Sequence, residues 1–182
     1  HPRGLGDRLF RRVLFWLLPY PSRLRIAALP LALVGWLQRS PRVLSRLPSR
    51  LRGLIVIAPA RVDARVMPVH TPAAGERRLR VGLVTGCVQQ VFFGDVNEST
   101  VRVLAAEGCT IDAPAAQGCC GALALHAGQD QEARRHARQL IAAFEGTDVD
   151  QIVVNAAGCG STLKHYGDLL KDDPQWSVRA RA

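Results

Sequence analysis

Leu79-Arg80-Val81-Gly82-Leu83-Val84-Thr85-Gly86-Cys87 is the stretch on which the fold turns. Its short aliphatic run reads as a buried strand, and Thr-Gly-Cys marks a loop at the strand's carboxyl end. Downstream, residues 95–107 place Val96, Val101, Leu104 and Ala105 at helical spacing and stop at Gly108. Cys109-Thr110-Ile111-Asp112-Ala113 reads as a second strand closed by Pro114. Residues 129–144 read as a helix with Ala133, Ala137, Leu140, Ile141 and Phe144 on its core face. Gln151-Ile152-Val153-Val154 is a third strand, and residues 161–170 begin a last helix. Strand and helix in alternation predict an α/β fold, a small parallel sheet with flanking helices.

Ligands in such folds gather outside the carboxyl ends of strands. Cys87 and Cys159 each follow a predicted strand end, and Cys119-Cys120 follows the second strand by one loop. Four thiols are therefore expected to meet at one edge of one sheet. Gly86, Gly118, Gly121, Gly158 and Gly160 flank them and allow tight turns with backbone N–H groups near sulfur. Asn155, at the end of the third strand, is expected to donate to the neighbouring loop. Ligation by sulfur alone suits an iron–sulfur cluster, with tetrahedral zinc as the rival and an empty thiol set as the third reading. Cys109 begins a strand and reads as an ordinary buried thiol. A disulfide scaffold is disfavoured: the cysteine count is odd, the domain is large enough for a core, and no secretory signal is seen.

The chain has 182 residues, 48% hydrophobic and 21% charged, so it can bury a core and is not disordered by composition. Opening on His1 and stopping at Arg181-Ala182, it reads as an internal piece of something larger. Its net charge of +9 hides an asymmetry: residues 1–80 hold 16 Arg, no Lys and three acids, a net +13, while the remainder is −4 and carries all five cysteines. Two regions are expected, a basic helical connector over 1–70 and a cysteine-rich α/β domain over 71–182.

In residues 5–18, Leu9, Phe10, Val13, Leu14 and Leu17 recur at three- and four-residue steps with Arg8, Arg11 and Arg12 between them. That is an amphipathic helix, ended by Pro19-Tyr20-Pro21. A second helix over 23–38 is expected to kink at Pro30 or to have a first turn marked there, Ser40-Pro41 and Leu47-Pro48 punctuate a third short segment, and residues 55–70 read as extended linker. The longest uncharged run of this N-terminal stretch, 26–38, is 13 residues, against the roughly 20 needed to span a bilayer, so no transmembrane helix is expected there. The basic stretch fits an anionic membrane surface, a partner, or a solvated face. Nucleic acid is disfavoured, because Phe10, Phe15, Trp16, Tyr20 and Trp36 are interleaved with aliphatics and no helix-turn-helix, zinc-finger or RNP pattern is present. No phosphate loop, Rossmann fingerprint, Ser-His-Asp set or paired carboxylates emerge, so no catalytic residue is assigned. His126 is weighed as a ligand or proton relay against a polar residue at a helix start. Lys164 is weighed as a counter-charge to the thiols against a solvated helix face. Asn97-Glu98-Ser99 fits a glycosylation triplet that means nothing without secretion.

Gly86-Cys87, the run Gln117-Gly118-Cys119-Cys120-Gly121-Ala122-Leu123, and Asn155-Ala156-Ala157-Gly158-Cys159-Gly160 with Leu163-Lys164-His165-Tyr166-Gly167 resemble the CCG-type cysteine-rich domain. With Leu18-Pro19-Tyr20-Pro21-Ser22 ahead of it, the chain looks most like the glycolate oxidase iron–sulfur subunit family. The resemblance implies a 4Fe–4S cluster on Cys87, Cys119, Cys120 and Cys159. It also implies an electron-transfer subunit that is not itself catalytic. Flavoprotein partners would oxidise glycolate, and electrons would pass toward the membrane quinone pool from a cytoplasmic position against the inner membrane face. Relatives carry a ferredoxin-like module before this region and a second CCG domain after it. Lactate-utilisation, anaerobic glycerol-3-phosphate dehydrogenase and heterodisulfide reductase complexes are the alternative settings, as is a zinc-bound structural or assembly module. The family's Cys-x-x-Cys ending departs here: Thr162 stands where its second cysteine would be.

Overall fold

The computed structural model describes residues 4–59, 62–63 and 65–181. Four strands, β1 (His70–Thr71), β2 (Leu79–Val84), β3 (Cys109–Asp112) and β4 (Gln151–Val154), form one sheet in the order β1-β3-β2-β4. β2 is central and runs parallel to both neighbours, with Val81 opposite Ile111 and Gln151. These are the three strands expected from the apolar runs. The sheet is nevertheless mixed, because β1 pairs antiparallel with β3. At two residues β1 has no hydrophobic signature. It is held instead by the Ala113 N–H donating to the Val69 carbonyl and by the His70 ring against the Asp112 carboxylate, 2.8 Å apart.

Among the described residues five helices precede the sheet: α1 (Leu5–Leu17), α2 (Pro21–Ala27), α3 (Leu31–Gln38), α4 (Pro41–Leu44) and α5 (Ser49–Ile57). The amphipathic helix forms as expected, yet α1 buries no residue, and Leu9, Phe10 and Trp16 stay exposed. Of the two expectations at Pro30 the structure shows a new helix start and not a kink: α2 ends at Ala27 and Pro30 caps α3, since proline has no N–H for the ladder and its ring clashes with the preceding turn. The linker reading for 55–70 needs correction at its start, where α5 runs on to Ile57 before Pro59 stops it. Residues 60, 61 and 64 of that stretch lie outside the described residues. Gln38 donates to the Ile55 and Ala58 carbonyls at 2.7 and 2.9 Å and so ties α3 to the end of α5. Among the described residues no helix is long and apolar enough to cross a membrane.

Six further helices flank the sheet: α6 (Gln89–Phe92), α7 (Gly94–Ala106), α8 (Ala122–His126), α9 (Asp130–Glu145), α10 (Ala157–Lys164) and α11 (Tyr166–Leu169). The alternation of β2 builds two cores. Val81 and Leu83 pack with Val101, Cys109, Ile111 and Ala113 on one face. Val84 packs with Cys120, Ala137, Leu140, Phe144, Tyr166 and Leu170 on the other. Gly82 is on the second face, where a Cβ would lie 2.7 Å from both Phe144 and Ile152; the missing side chain lets the Phe144 ring rest on the strand. Val96, expected on the core face of α7, is instead exposed, and Val101 makes the apolar contact. The last helix begins four residues earlier than expected, at Ala157. Arg11 donating to the Ala127 carbonyl and Arg135 to the Tyr20 hydroxyl join the N-terminal helices to this unit.

Candidate functional site

The chain leaves the carboxyl ends of β2, β3 and β4 on the same side of the sheet, and the four expected cysteines sit on the segments that follow. Cys87 is in the turn after β2, Cys119 and Cys120 precede α8, and Cys159 lies in the first turn of α10. The Cys87 and Cys119 sulfurs are 3.4 Å apart and those of Cys120 and Cys159 are 3.0 Å apart. Cys119 and Cys120 are buried; Cys87 and Cys159 are half-buried. Thiols distant along the chain are thus brought together as two pairs, Cys87 with Cys119 and Cys120 with Cys159.

Backbone shape makes it possible. Gly118 and Gly121 adopt φ of +68° and +81°, a region that side chains disfavour. A Cβ at Gly118 would also fall 2.7 Å from the Gln139 amide, so these glycines let the cysteine pair lie directly on α9. The Gly121 N–H points at the Cys119 sulfur from 3.4 Å, and the Tyr166 hydroxyl donates to the Cys120 carbonyl at 2.7 Å. Gly86 is also left-handed, at φ +70°, where the chain turns out of β2. Gly158 and Gly160, expected in a loop, are helical residues of α10. Gly160 matters by size, because a Cβ there would meet Val154 at 3.0 Å.

The sulfurs share negative charge unequally. Thiol hydrogen bonds from Cys119 and Cys159, helped by the Ala122 N–H, hold Cys120 far below the usual thiol range. Its contact with Cys119 also draws Cys87 down. Cys119 and Cys159, as donors beside that charge, are pushed up. Burial, then the neighbouring sulfur charge, raises the Tyr166 phenol.

The expected cofactor does not follow from this geometry. Among the described residues no group of three or more His, Cys, Asp or Glu side chains is placed to hold a metal ion. That overturns the readings of this domain as a 4Fe–4S, iron–sulfur or zinc metal-binding unit. Thiolates at about 2.3 Å around a tetrahedral ion stand about 3.8 Å apart, whereas Cys120 and Cys159 are in direct sulfur contact at 3.0 Å. The other weighed residues supply no further ligand. His126 is exposed at the end, not the start, of α8, and Lys164 is an exposed residue of the last turn of α10. Thr162 is buried with its hydroxyl donating to the Gly158 carbonyl at 3.0 Å, bound within its own helix. Cys109 is buried in the apolar cluster on the opposite face.

A polar bracket around these turns was not anticipated. Gln117 is buried, accepts the Thr85 N–H at 2.9 Å, and donates to the Leu83 and Pro114 carbonyls. Asn97 is completely buried, donates to the Thr85 carbonyl at 3.0 Å, and accepts from Gln89 and Asn155. Asn155 thus reaches α7 and, through the Gln89 amide, the turn after β2. His136 is buried on α9 with Nδ1 unpartnered. Burial and the adjacent Arg135 charge lower its pKa. The signal for Asn97 and His136 was in the pattern: each stands on the apolar stripe of its helix, one turn from Val101 and Leu140 respectively. An apolar cavity of about 680 Å³ lies between β4 and α9, with Val84, Leu140, Phe144, Ile152 and Leu163 in its wall and none of the four cysteines.

Residues 81–164 match the family model described as the CCG cysteine-rich domain. The chain is 38% identical over 191 aligned positions to a "Probable glycolate oxidase iron-sulfur subunit" of Bacillus subtilis (strain 168), covering 98% of this chain and 42% of that relative. It is 39% identical over 103 positions to "Lactate utilization protein A" of Macrococcus caseolyticus, covering 57% of this chain and 41% of the relative. The protein of the same name from Oceanobacillus iheyensis is 39% identical over 102 positions, 56% of this chain and 41% of its own. The chain thus spans about two fifths of the length of these relatives. No solved structure matches.

Proposed function

Because residues 81–164 are a cysteine-rich domain of the CCG type, we propose that the chain is part of an electron-transfer subunit of a flavin-dependent 2-hydroxy-acid dehydrogenase complex. A flavoprotein partner oxidises the hydroxy acid, lactate or glycolate, and electrons leave toward the membrane quinone pool. The observation that carries this reading is the 38% identity along 98% of the chain to a glycolate oxidase iron-sulfur subunit. Over just more than half of its length the chain is as similar to lactate-utilisation proteins. Both names refer to a 2-hydroxy acid, glycolate or lactate, and that shared substrate class is the level at which the donor is proposed.

The N-terminal helices support contact with an anionic membrane surface. On α1, Leu9, Phe10 and Trp16 are exposed beside exposed Arg8 and Arg12, the pairing of apolar anchor and cationic rim that binds anionic headgroups.

The test is a chromosomal deletion with re-expression of the full-length protein. Membranes from the deletion strain are expected to lose reduction of a quinone analogue by lactate or glycolate, and the tagged protein is expected to carry a flavoprotein with it. Unchanged rates with both hydroxy acids, and no flavin in the purified material, would defeat the proposal.

A further inference from the structure

We propose that Cys120 and Cys159 are a redox-active dithiol that closes reversibly to a disulfide, with a low-molecular-weight disulfide as the oxidant. The inference goes beyond the electron-transfer reading and does not depend on which flavoprotein or hydroxy acid is involved. Its basis is the 3.0 Å separation of the two sulfurs as free thiols. An S–S bond is about 2.05 Å, so closure asks for an approach of about 1 Å.

The surroundings select this pair. Cys120 is 2% exposed, on a loop anchored by the Tyr166 hydroxyl at its own carbonyl. Cys159 is half-buried, on the opening turn of α10. A solution disulfide therefore meets Cys159 first, and Cys120 waits behind it as the resolving sulfur. On α10 itself Cys159 has no thiol neighbour one turn on, because that position is Thr162 and its hydroxyl is bound to the Gly158 carbonyl. Cys109 belongs to the cluster on the other face of the sheet. Cys87 and Cys119 form the looser contact, at 3.4 Å.

The exchange balances in two steps. Cys120 takes the Cys159 proton across their 3.0 Å contact, and the Cys159 thiolate attacks an oxidant RSSR, forming Cys159–S–SR and expelling RS⁻. The Cys120 sulfur then attacks the Cys159 sulfur, forming the protein S–S bond and expelling RS⁻. Any proton still on Cys120 leaves with it. Two electrons pass from the cysteine pair to RSSR and two equivalents of RSH result. A thiol in excess reverses both steps.

The full-length protein, reduced and then equilibrated with mixtures of reduced and oxidised glutathione, is alkylated and mapped by mass spectrometry. Two cysteines are expected to lose alkylation in concert as the mixture becomes oxidising and to regain it with dithiothreitol. Peptide fragmentation should place the bond between Cys120 and Cys159. Cys159→Ser should abolish the link and leave Cys120 open to alkylation, while Cys109→Ser should leave it unchanged. The wild-type link map stands whether or not a variant folds. Cys120 and Cys159 remaining alkylatable in every mixture, or a Cys87–Cys119 link in their place, would overturn the proposal. So would stoichiometric iron in the purified protein that is lost in Cys159→Ser.

Discussion

Replacing Gln117 by leucine tests the bracket that aims two of the cysteine-bearing turns. The amide is 3% exposed. It accepts the Thr85 N–H at 2.9 Å and donates to the Pro114 and Leu83 carbonyls at 3.1 and 3.3 Å. Leucine has a similar volume but makes none of these bonds. A buried N–H left without a partner costs about 1–3 kcal/mol, and carbonyls, with two lone pairs, lose less. The leucine side chain recovers part of this by burial of apolar surface. The net loss expected is about 2–3 kcal/mol, which for a chain of this size lowers Tm by roughly 4–12 °C. Urea unfolding followed by circular dichroism should show the midpoint fall with the slope unchanged. Gln139→Leu is the control. That side chain is exposed and bonds only to the Ala116 carbonyl at 3.2 Å, and it should change stability by less than about 0.5 kcal/mol. A Gln117→Leu loss no larger than the control's would refute the reasoning, since Thr85 would then have no need of Gln117.

Gly82→Ala forces a methyl to 2.7 Å from Phe144 and Ile152; a loss of about 1–3 kcal/mol is expected in the same assay, and a neutral result would mean that α9 is free to lift from the sheet. His136 has a lowered pKa in the folded chain, so between its ordinary value near 6.5 and that lower value the unfolded chain binds the extra proton more tightly. Its contribution is intact above about pH 6.5 and is lost as pH falls below it. Wild type should therefore lose more stability than His136→Gln between about pH 7.5 and pH 5.5, and parallel slopes would remove the argument. Binding of the full-length protein to vesicles should rise with their phosphatidylglycerol content, fall with added salt, and weaken in Trp16→Ser and Arg12→Glu; equal binding to phosphatidylcholine vesicles would end the membrane-surface proposal.

Elements with a strong apolar period were legible before any coordinates. β2, β3, β4 and α9 sit where their hydrophobic runs placed them, because each run had to find a face to bury. β1 was not legible, since a two-residue strand held by its short ladder with β3 and by a His70–Asp112 contact carries no period. The early start of α10 was hidden by Gly158 and Gly160, which read as loop formers and are helical. Asn97 and His136 were readable as polar residues on apolar stripes, but the partner of Asn97 is the Thr85 carbonyl, 12 positions away along the chain and on a different element.

What the sequence by itself determined was the parallel core of the sheet, with four distant cysteines on the segments that follow its carboxyl ends. Parallel strands end on one side, so residues just beyond those ends become neighbours whatever the loops do. What only the tertiary structure decided was how the sulfurs face one another. A difference of less than 1 Å separates thiols arranged around an ion from thiols in contact with each other. That difference is set by the turns at Gly118 and Gly121, by the Tyr166 bond to the Cys120 carbonyl, and by the place of Cys159 in the first turn of α10. None of these can be computed from spacing along a chain.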